Sequence, residues 1–324
     1  MRSETSELRE IKKTILKGRI IQTTGSWYQV LLDDKIITAR LKGKFKLEEL
    51  DTTNPIAVGD YVTLEKTEGN EFIINEIHER NNYIIRQSPR NKHQRHIIAS
   101  NIDQALLVVT IAQPRTSLGF VDRFIAAAES FHIPVKIIIN KIDLIRDKDK
   151  ELLEYMQIVY NNLGYEVILS STVTNEGIDT VTSTLANKTS LVAGHSGVGK
   201  STLLNAINKD LHLKTGTISE KWGKGKHTTT FATMIQIFKD SFIIDTPGIK
   251  EFMLLQVEPE EVSGYFIDIK KFAEGCQYNN CLHLNEPKCA VKEAVENMQI
   301  AATRYENYLN IIQNIKEINY WERK

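Results

Sequence analysis

The stretch Gly194-His195-Ser196-Gly197-Val198-Gly199-Lys200-Ser201 has the composition of a phosphate cradle. Its glycines let the backbone turn tightly enough for successive N–H groups to face phosphate oxygens. It follows an apolar strand pattern, TSLVAG, and opens a helical one, GKSTLLNAINK, so a helix N-terminus faces the same oxygens. Lys200 has the reach for the β- and γ-phosphates, which makes it a catalytic candidate, and the Ser201 hydroxyl is a candidate magnesium ligand. Asp245-Thr246-Pro247-Gly248 leaves the apolar strand SFIID. A carboxylate at that place suits the magnesium shell, and the Gly248 N–H suits the γ-phosphate. Alone, this tetrapeptide would be an ordinary turn; beside a phosphate loop it points to nucleotide. Asn140-Lys141-Ile142-Asp143 ends another apolar strand, VKIII. A carboxylate there accepts two parallel hydrogen bonds from a base edge with two donors, which guanine offers and adenine lacks. Asp143 is therefore the expected specificity residue, although Asn140 and Asp143 standing alone would read as helix caps. Ser170-Ser171 follows one helix and one strand later, where a loop can touch the base.

A second chemistry is written in the cysteines. All three fall between residues 276 and 289, in the pattern Cys276-x4-Cys281-x-His283-x5-Cys289. Three thiolates and one imidazole complete the closed tetrahedral shell of a structural zinc ion, and four protein ligands leave no open position for catalysis. The other reading is a set of buried or free thiols. Zinc would fold a short segment that has few strand signals of its own. His195 and His212 are expected on loops or the surface.

Positioning these groups requires three kinds of element. Residues 14–79 hold five short alternating or β-branched runs, ILKGRIIQ, SWYQVLL, KIITARL, GDYVTLEK and EFIINEI, punctuated by turn residues. That pattern predicts a small barrel, OB-like or SH3-like. RNNYIIRQSPRNKHQRH, residues 80–96, is basic without an acid; it is either a solvated connector or a phosphate contact with Tyr83 for stacking. From about residue 100, buried strands alternate with helical segments, which predicts a doubly wound, mostly parallel sheet. After Glu258 the strand signals fade into helical ones around the Cys/His knot. The expected architecture is a multidomain α/β chain: a barrel over 1–82, a basic linker over 83–99, a nucleotide domain over 100–252 and a helical zinc-binding domain over 253–324.

Composition narrows the setting. The 324 residues are 41% hydrophobic and 25% charged, which excludes a disordered or low-complexity chain. Forty-one basic residues balance 41 acidic ones, so nucleic acid must be met by local patches rather than a uniformly basic coat. No run approaches the roughly 20 apolar residues of a membrane span, and the first residues carry no apolar signal core. A cytoplasmic protein without a membrane partner is expected.

The motifs resemble those of the GTPase superfamily in a rearranged order, with Asn140-Lys141-Ile142-Asp143 and Ser170-Ser171 preceding the phosphate loop and Asp245-Thr246-Pro247-Gly248. That order implies a circularly permuted P-loop GTPase domain. Because the sites sit on strand ends, strand position matters while chain order does not. The first switch then falls in TGTISEKWGKGKHTTT. Thr228, Thr229 and Thr230 are candidates for the hydroxyl that closes on magnesium. Thr229 is carried forward as magnesium ligand and catalytic residue, with the choice among the three left open. Many GTPases place a Gln after this Asp-x-x-Gly pattern to orient the attacking water. Here Ile249 stands there, which cannot hydrogen-bond water, so hydrolysis is expected to be slow without help. His227 is the in-chain candidate for that help, or an exposed loop histidine.

Barrel, permuted nucleotide domain and Cys/His knot together resemble the small-ribosomal-subunit biogenesis GTPases of the RsgA (YjeQ/YloQ) type over nearly the whole chain. The matching residues are Asn140, Lys141 and Asp143; Gly194, His195, Ser196, Gly197, Val198, Gly199, Lys200, Ser201 and Thr202; the run from Gly225 to Thr230; Asp245 to Gly248; and Cys276, Cys281, His283 and Cys289. The resemblance implies GTP and GDP binding with magnesium, slow hydrolysis stimulated by the small ribosomal subunit, rRNA contact through barrel and zinc domain, and late subunit maturation; a monomer is expected. The family usually has Arg where Lys226 stands, and Lys loses the bidentate geometry. Other readings are a non-catalytic, GTP-switched RNA-binding scaffold and a permuted GTPase of large-subunit assembly.

Overall fold

The computed structural model describes residues 15–42, 55–67, 69–87, 95–213, 232–245 and 257–322. The first five strands, β1 (Ile15–Thr24), β2 (Trp27–Leu32), β3 (Lys35–Leu41), β4 (Tyr61–Lys66) and β5 (Phe72–Ile77), coincide with the five alternating runs. Alternation does here what the pleat demands: Tyr28 and Val30 of β2, and Val62 and Leu64 of β4, point into one core with Ile20, Ala39 and Ile74. β1 pairs with β4 through its first half and with β2 through its second, and β3 and β5 run parallel. The order β1-β2-β3-β5-β4-β1 closes an OB-like barrel.

Where the expected basic linker is described, over 83–87 and 95–99, it is strand. Tyr83–Gln87 (β6) and Arg95–Ser100 (β7) pair antiparallel, with Tyr83 opposite Ser100. Ile84, Ile97 and Ala99 are buried, and this apolar strip is what turns a charged segment into a hairpin. Arg80 grips Asp60 of the barrel through two contacts of 2.7 Å, and the Ser100 hydroxyl donates to the same carboxylate at 2.6 Å.

The third unit alternates β8 (Gln104–Val109), α1 (Leu118–Ser130), β9 (Val135–Asn140), α2 (Lys150–Asn162), β10 (Val167–Ser170), α3 (Ile178–Leu185), β11 (Thr189–Ala193), α4 (Lys200–Ile207), β12 (Thr233–Phe238) and β13 (Ser241–Asp245). The sheet order is β10-β9-β8-β11-β13-β12, parallel except for β12. Every residue of β8 is buried, as a strand covered on both faces must be. One apolar layer lies under α1 and α2, the other under α3 and α4. The doubly wound prediction holds. A single pairing, Gln22 with Thr233, continues this sheet into the barrel through β1 and β12. The Arg19 side chain reinforces that junction: it donates to the Asn101 carbonyl at 3.1 Å and lies 4.8 Å from the Tyr61 ring and 5.3 Å from the Phe242 ring.

The C-terminal unit is helical, as its fading strand signals foretold: a 3-10 segment over Pro259–Tyr265, then α5 (Ile267–Ala273), α6 (Ala290–Glu296) and α7 (Ala302–Glu322). Its core, including Phe266, Ile269, Tyr308 and Ile311, also takes in Ala126 of α1. Arg304 of α7, 1% exposed, fastens it to the nucleotide domain. It donates to Asp268 at 2.7 and 2.8 Å and to Asp122 of α1 at 2.6 Å. No described helix is long and apolar enough to cross a membrane.

Candidate nucleotide and metal sites

Because β9, β10, β11 and β13 run parallel within one sheet, their carboxyl ends open on one edge. β11 leads directly into the glycine-rich loop and α4. Two of its glycines are required by space as well as by conformation. Gly194 has φ +143°, and a Cβ there would come 2.2 Å from the Val108 carbonyl oxygen. Gly199 has φ +95°, and its Cβ would meet the Asn140 amide nitrogen at 2.6 Å. Lys200 Nζ donates to the carbonyls of Gly194 at 2.7 Å and His195 at 2.9 Å, so the ammonium lies within the loop's own curve. Ser201 is buried in the first turn of α4 and Thr202 is exposed. Ser196 and Gly197 are exposed, whereas Val198 is fully buried and anchors the loop to the core under α3 and α4.

β9 delivers the second motif to the same place. Asn140 Nδ2 donates to the Val198 carbonyl at 2.9 Å, and Asn140 Oδ1 accepts from Ser170 Oγ at 3.1 Å. Lys141, at φ +59°, turns the chain out of the strand. Its ammonium donates to Gly197 O at 2.7 Å and Gln113 O at 3.1 Å, bridging the loop after β8 and the glycine-rich loop. Asp143 sits exposed in the short 3-10 turn Ile142–Leu144, and its Oδ1 accepts from Ser171 Oγ at 2.5 Å. The Ser171 hydroxyl in turn accepts from the Val173 and Thr174 N–H groups. Three separate sequence motifs thus form one hydrogen-bonded cluster. Asp245 ends β13, next to β11. Its side chain, together with Gly248, His227, Thr228, Thr229, Thr230, Lys226 and Ile249, lies outside the described residues.

Sequence reasoning missed two participants. Gln113 offers its carbonyl to Lys141, and the Phe120 ring lies against His195, with centroids 3.8 Å apart. Only their place after the carboxyl end of a buried strand, where α/β proteins put their sites, could have flagged them.

The four expected metal ligands also converge. The ligand atoms of Cys276, Cys281, His283 and Cys289 all lie within 4.8 Å of one another. Cys276 Sγ and Cys289 Sγ are 3.9 Å apart, and His283 Nδ1 is 3.5 and 3.4 Å from them. Tyr305 and Tyr308 hold the loop by donating to the carbonyls of His283 (2.6 Å) and Leu282 (3.0 Å). Glu286 accepts from the N–H groups of Leu282 and Leu284. Burial pushes the Cys281 thiol up to about 12, raises that of Cys289, and lowers the His283 imidazole. The imidazole is therefore neutral, the form that ligates, while the two thiols require a cation to become thiolates at neutral pH. His283 Nε2 is buried without a hydrogen-bond partner among the described residues.

Comparison with known proteins agrees with this geometry. The family model described as RsgA GTPase matches residues 77–255, and that described as the RsgA N-terminal domain matches 17–74. This chain belongs to the RsgA GTPase family. It is 45% identical over 306 residues to the small ribosomal subunit biogenesis GTPase RsgA 2 of Bacteroides thetaiotaomicron, covering 94% of this chain and 99% of that protein. It is also 45% identical over 306 residues to the RsgA of Flavobacterium johnsoniae, covering 93% and 94%. Among solved structures, YjeQ from Thermotoga maritima superposes with a TM-score of 0.75 at 33% identity, covering 93% of this chain and 99% of that one. YloQ, described as a circularly permuted GTPase, superposes at 0.72 with 31% identity, covering 97% and 98%. The RsgA resemblance seen in the motifs therefore extends over barrel, permuted domain and Cys/His cluster.

Proposed function

We propose that this chain binds and hydrolyses GTP in the maturation of the small ribosomal subunit, as its relatives' names describe for them. The observation that supports the reading most is the hydrogen bond from Asn140 to Val198 at 2.9 Å, which ties the expected guanine motif directly to the glycine-rich loop. Asp143 reads the guanine edge, with Asn140 and Lys141 shaping the pocket and Ser170 and Ser171 supporting it. The N–H groups of the loop from Gly194 to Gly199 and of the first turn of α4 face the phosphates, and Lys200 meets the β- and γ-phosphates. Ser201, Asp245 and Thr229, the last chosen from Thr228, Thr229 and Thr230, would hold magnesium, which would supply positive charge beside the β- and γ-phosphates, and the Gly248 N–H would meet the γ-phosphate. With Ile249 after the Asp-x-x-Gly pattern, turnover is slow until the small subunit assists, and His227 is the residue that positions water.

The metal domain holds one structural zinc. Zinc bonds of about 2.3 Å to sulfur and about 2.0–2.1 Å to nitrogen, at the tetrahedral angle, put sulfurs about 3.8 Å apart and sulfur about 3.5 Å from nitrogen. The separations of 3.9, 3.5 and 3.4 Å support that fit. The units are a barrel over 1–82, a connecting segment over 83–99, the GTPase domain over 100–252 and the zinc domain over 253–324, in a cytoplasmic monomer. Barrel and zinc domain meet rRNA while GTP closes the switch, and hydrolysis releases them. The test is GTP turnover titrated with purified small subunits. Turnover should rise with small subunits and not with large ones; no rise would reject the functional reading.

A further inference from the structure

The Phe120 ring lies over the imidazole of His195, with centroids 3.8 Å apart and planes 33° apart. The turn that carries Phe120 is fixed independently of that contact. Ser117 caps α1 by accepting from the Phe120 N–H at 3.3 Å. Thr116 and Thr110 hold each other through contacts of 2.9 and 3.2 Å, which pins the loop before the helix. From the other side, Asn307 Oδ1 sits where a Cβ on Gly119 would be only 3.1 Å away, and Asn307 Nδ2 donates to Asp122 at 2.6 Å. The Arg304 guanidinium holds that same carboxylate at 2.6 Å. His195, by contrast, belongs to a glycine-rich loop, and its carbonyl accepts the Lys200 ammonium at 2.9 Å.

We propose that Phe120 is a positioning residue for the phosphate loop: it holds the His195 ring, and with it the backbone against which Lys200 rests, in the curve that nucleotide needs. A loop with three glycines has much conformational freedom to lose, and fixing it beforehand removes that cost from binding. Because the turn is clamped by α7, the helical C-terminal domain helps to set the loop. The inference rests on the nucleotide-loop reading. Stacking of this kind is worth about two- to tenfold in an equilibrium constant.

The test uses the full chain with Phe120→Leu, Phe120→Ala and Phe120→Tyr, titrated with GDP, and the histidine ring carbons followed by NMR. Leu and Ala should weaken GDP two- to tenfold and raise KM with kcat little changed. Tyr should keep both at the parent level. One histidine signal should lose an aromatic ring-current shift in Leu and Ala only. Parent-like GDP affinity in Phe120→Leu, or equal loss in Phe120→Tyr, would overturn the proposal. Lys200→Ala in the same titration separates the two ideas. If it weakens GDP while Phe120→Leu does not, this inference fails and the loop reading stands; if Lys200→Ala also binds like the parent, the loop reading itself fails.

Discussion

The side-chain amide of Asn140 donates to the main-chain carbonyl of Val198 at 2.9 Å, joining the end of β9 to the middle of the glycine-rich loop across 58 residues of chain. Gly199 has no side chain to obstruct that amide, since a Cβ there would lie 2.6 Å from it. The motif proposed to read the base and the loop proposed to hold the phosphates are therefore joined directly, Asn140 of the one holding the backbone of the other. Replacing Asn140 with Ala removes two buried hydrogen bonds, to Val198 and Ser170, and should destabilise the chain by about 1–3 kcal/mol. GDP affinity should fall at least tenfold. Denaturant unfolding and a GDP titration of the same variant check both.

Gly199→Ala makes the complementary change. It forces an alanine into φ +95° and into contact with the Asn140 amide. GDP binding should fall by more than tenfold, whereas Ser196→Ala, an exposed change in the same loop, should leave binding within about threefold. Equal effects would mean the loop tolerates the added atom by moving.

Arg304→Met should cost about 3–5 kcal/mol, because it leaves the Asp122 and Asp268 carboxylates buried without their cation. Adding Asp122→Asn and Asp268→Asn should recover part of the loss, since the penalty is unpaired charge rather than lost packing. Chemical denaturation of the three proteins checks this.

Metal loading should release protons. The Cys281 and Cys289 thiols sit above their ordinary range when no cation is present, and the His283 imidazole below its own. Binding converts the two thiols to thiolates and takes no proton from the neutral imidazole. At least two protons per ion should therefore be released at neutral pH, and affinity should rise as pH increases. Calorimetry in buffers of different ionisation enthalpy measures the number. Cys281→Ser should drop metal content from about one ion per chain to near zero.

Much of this was legible in the sequence, for identifiable reasons. The barrel strands alternate and the nucleotide-domain strands are continuously apolar, so period and run length alone place both. The glycine-rich loop and the Cys/His knot are local, and local spacing carries their chemistry. What escaped depends on distance in the chain. Arg304 lies on a helix full of polar residues, and its burial is decided by Asp122, 182 positions away. The hairpin of β6 and β7 was hidden by the charges around its few buried residues. Phe120 stands half-buried at the start of α1, and nothing in the surrounding sequence marks that its ring lies against His195.

The most direct test of the account is base selectivity at Asp143. Competition binding of GDP and xanthosine diphosphate to the parent and to Asp143→Asn measures it. A carboxylate reading the two donors of guanine predicts that the parent prefers GDP and that the Asn variant loses this preference and favours xanthosine diphosphate. An Asp143→Asn protein that still selects GDP as the parent does would contradict the convergence of Asp143 and Lys200 on one nucleotide.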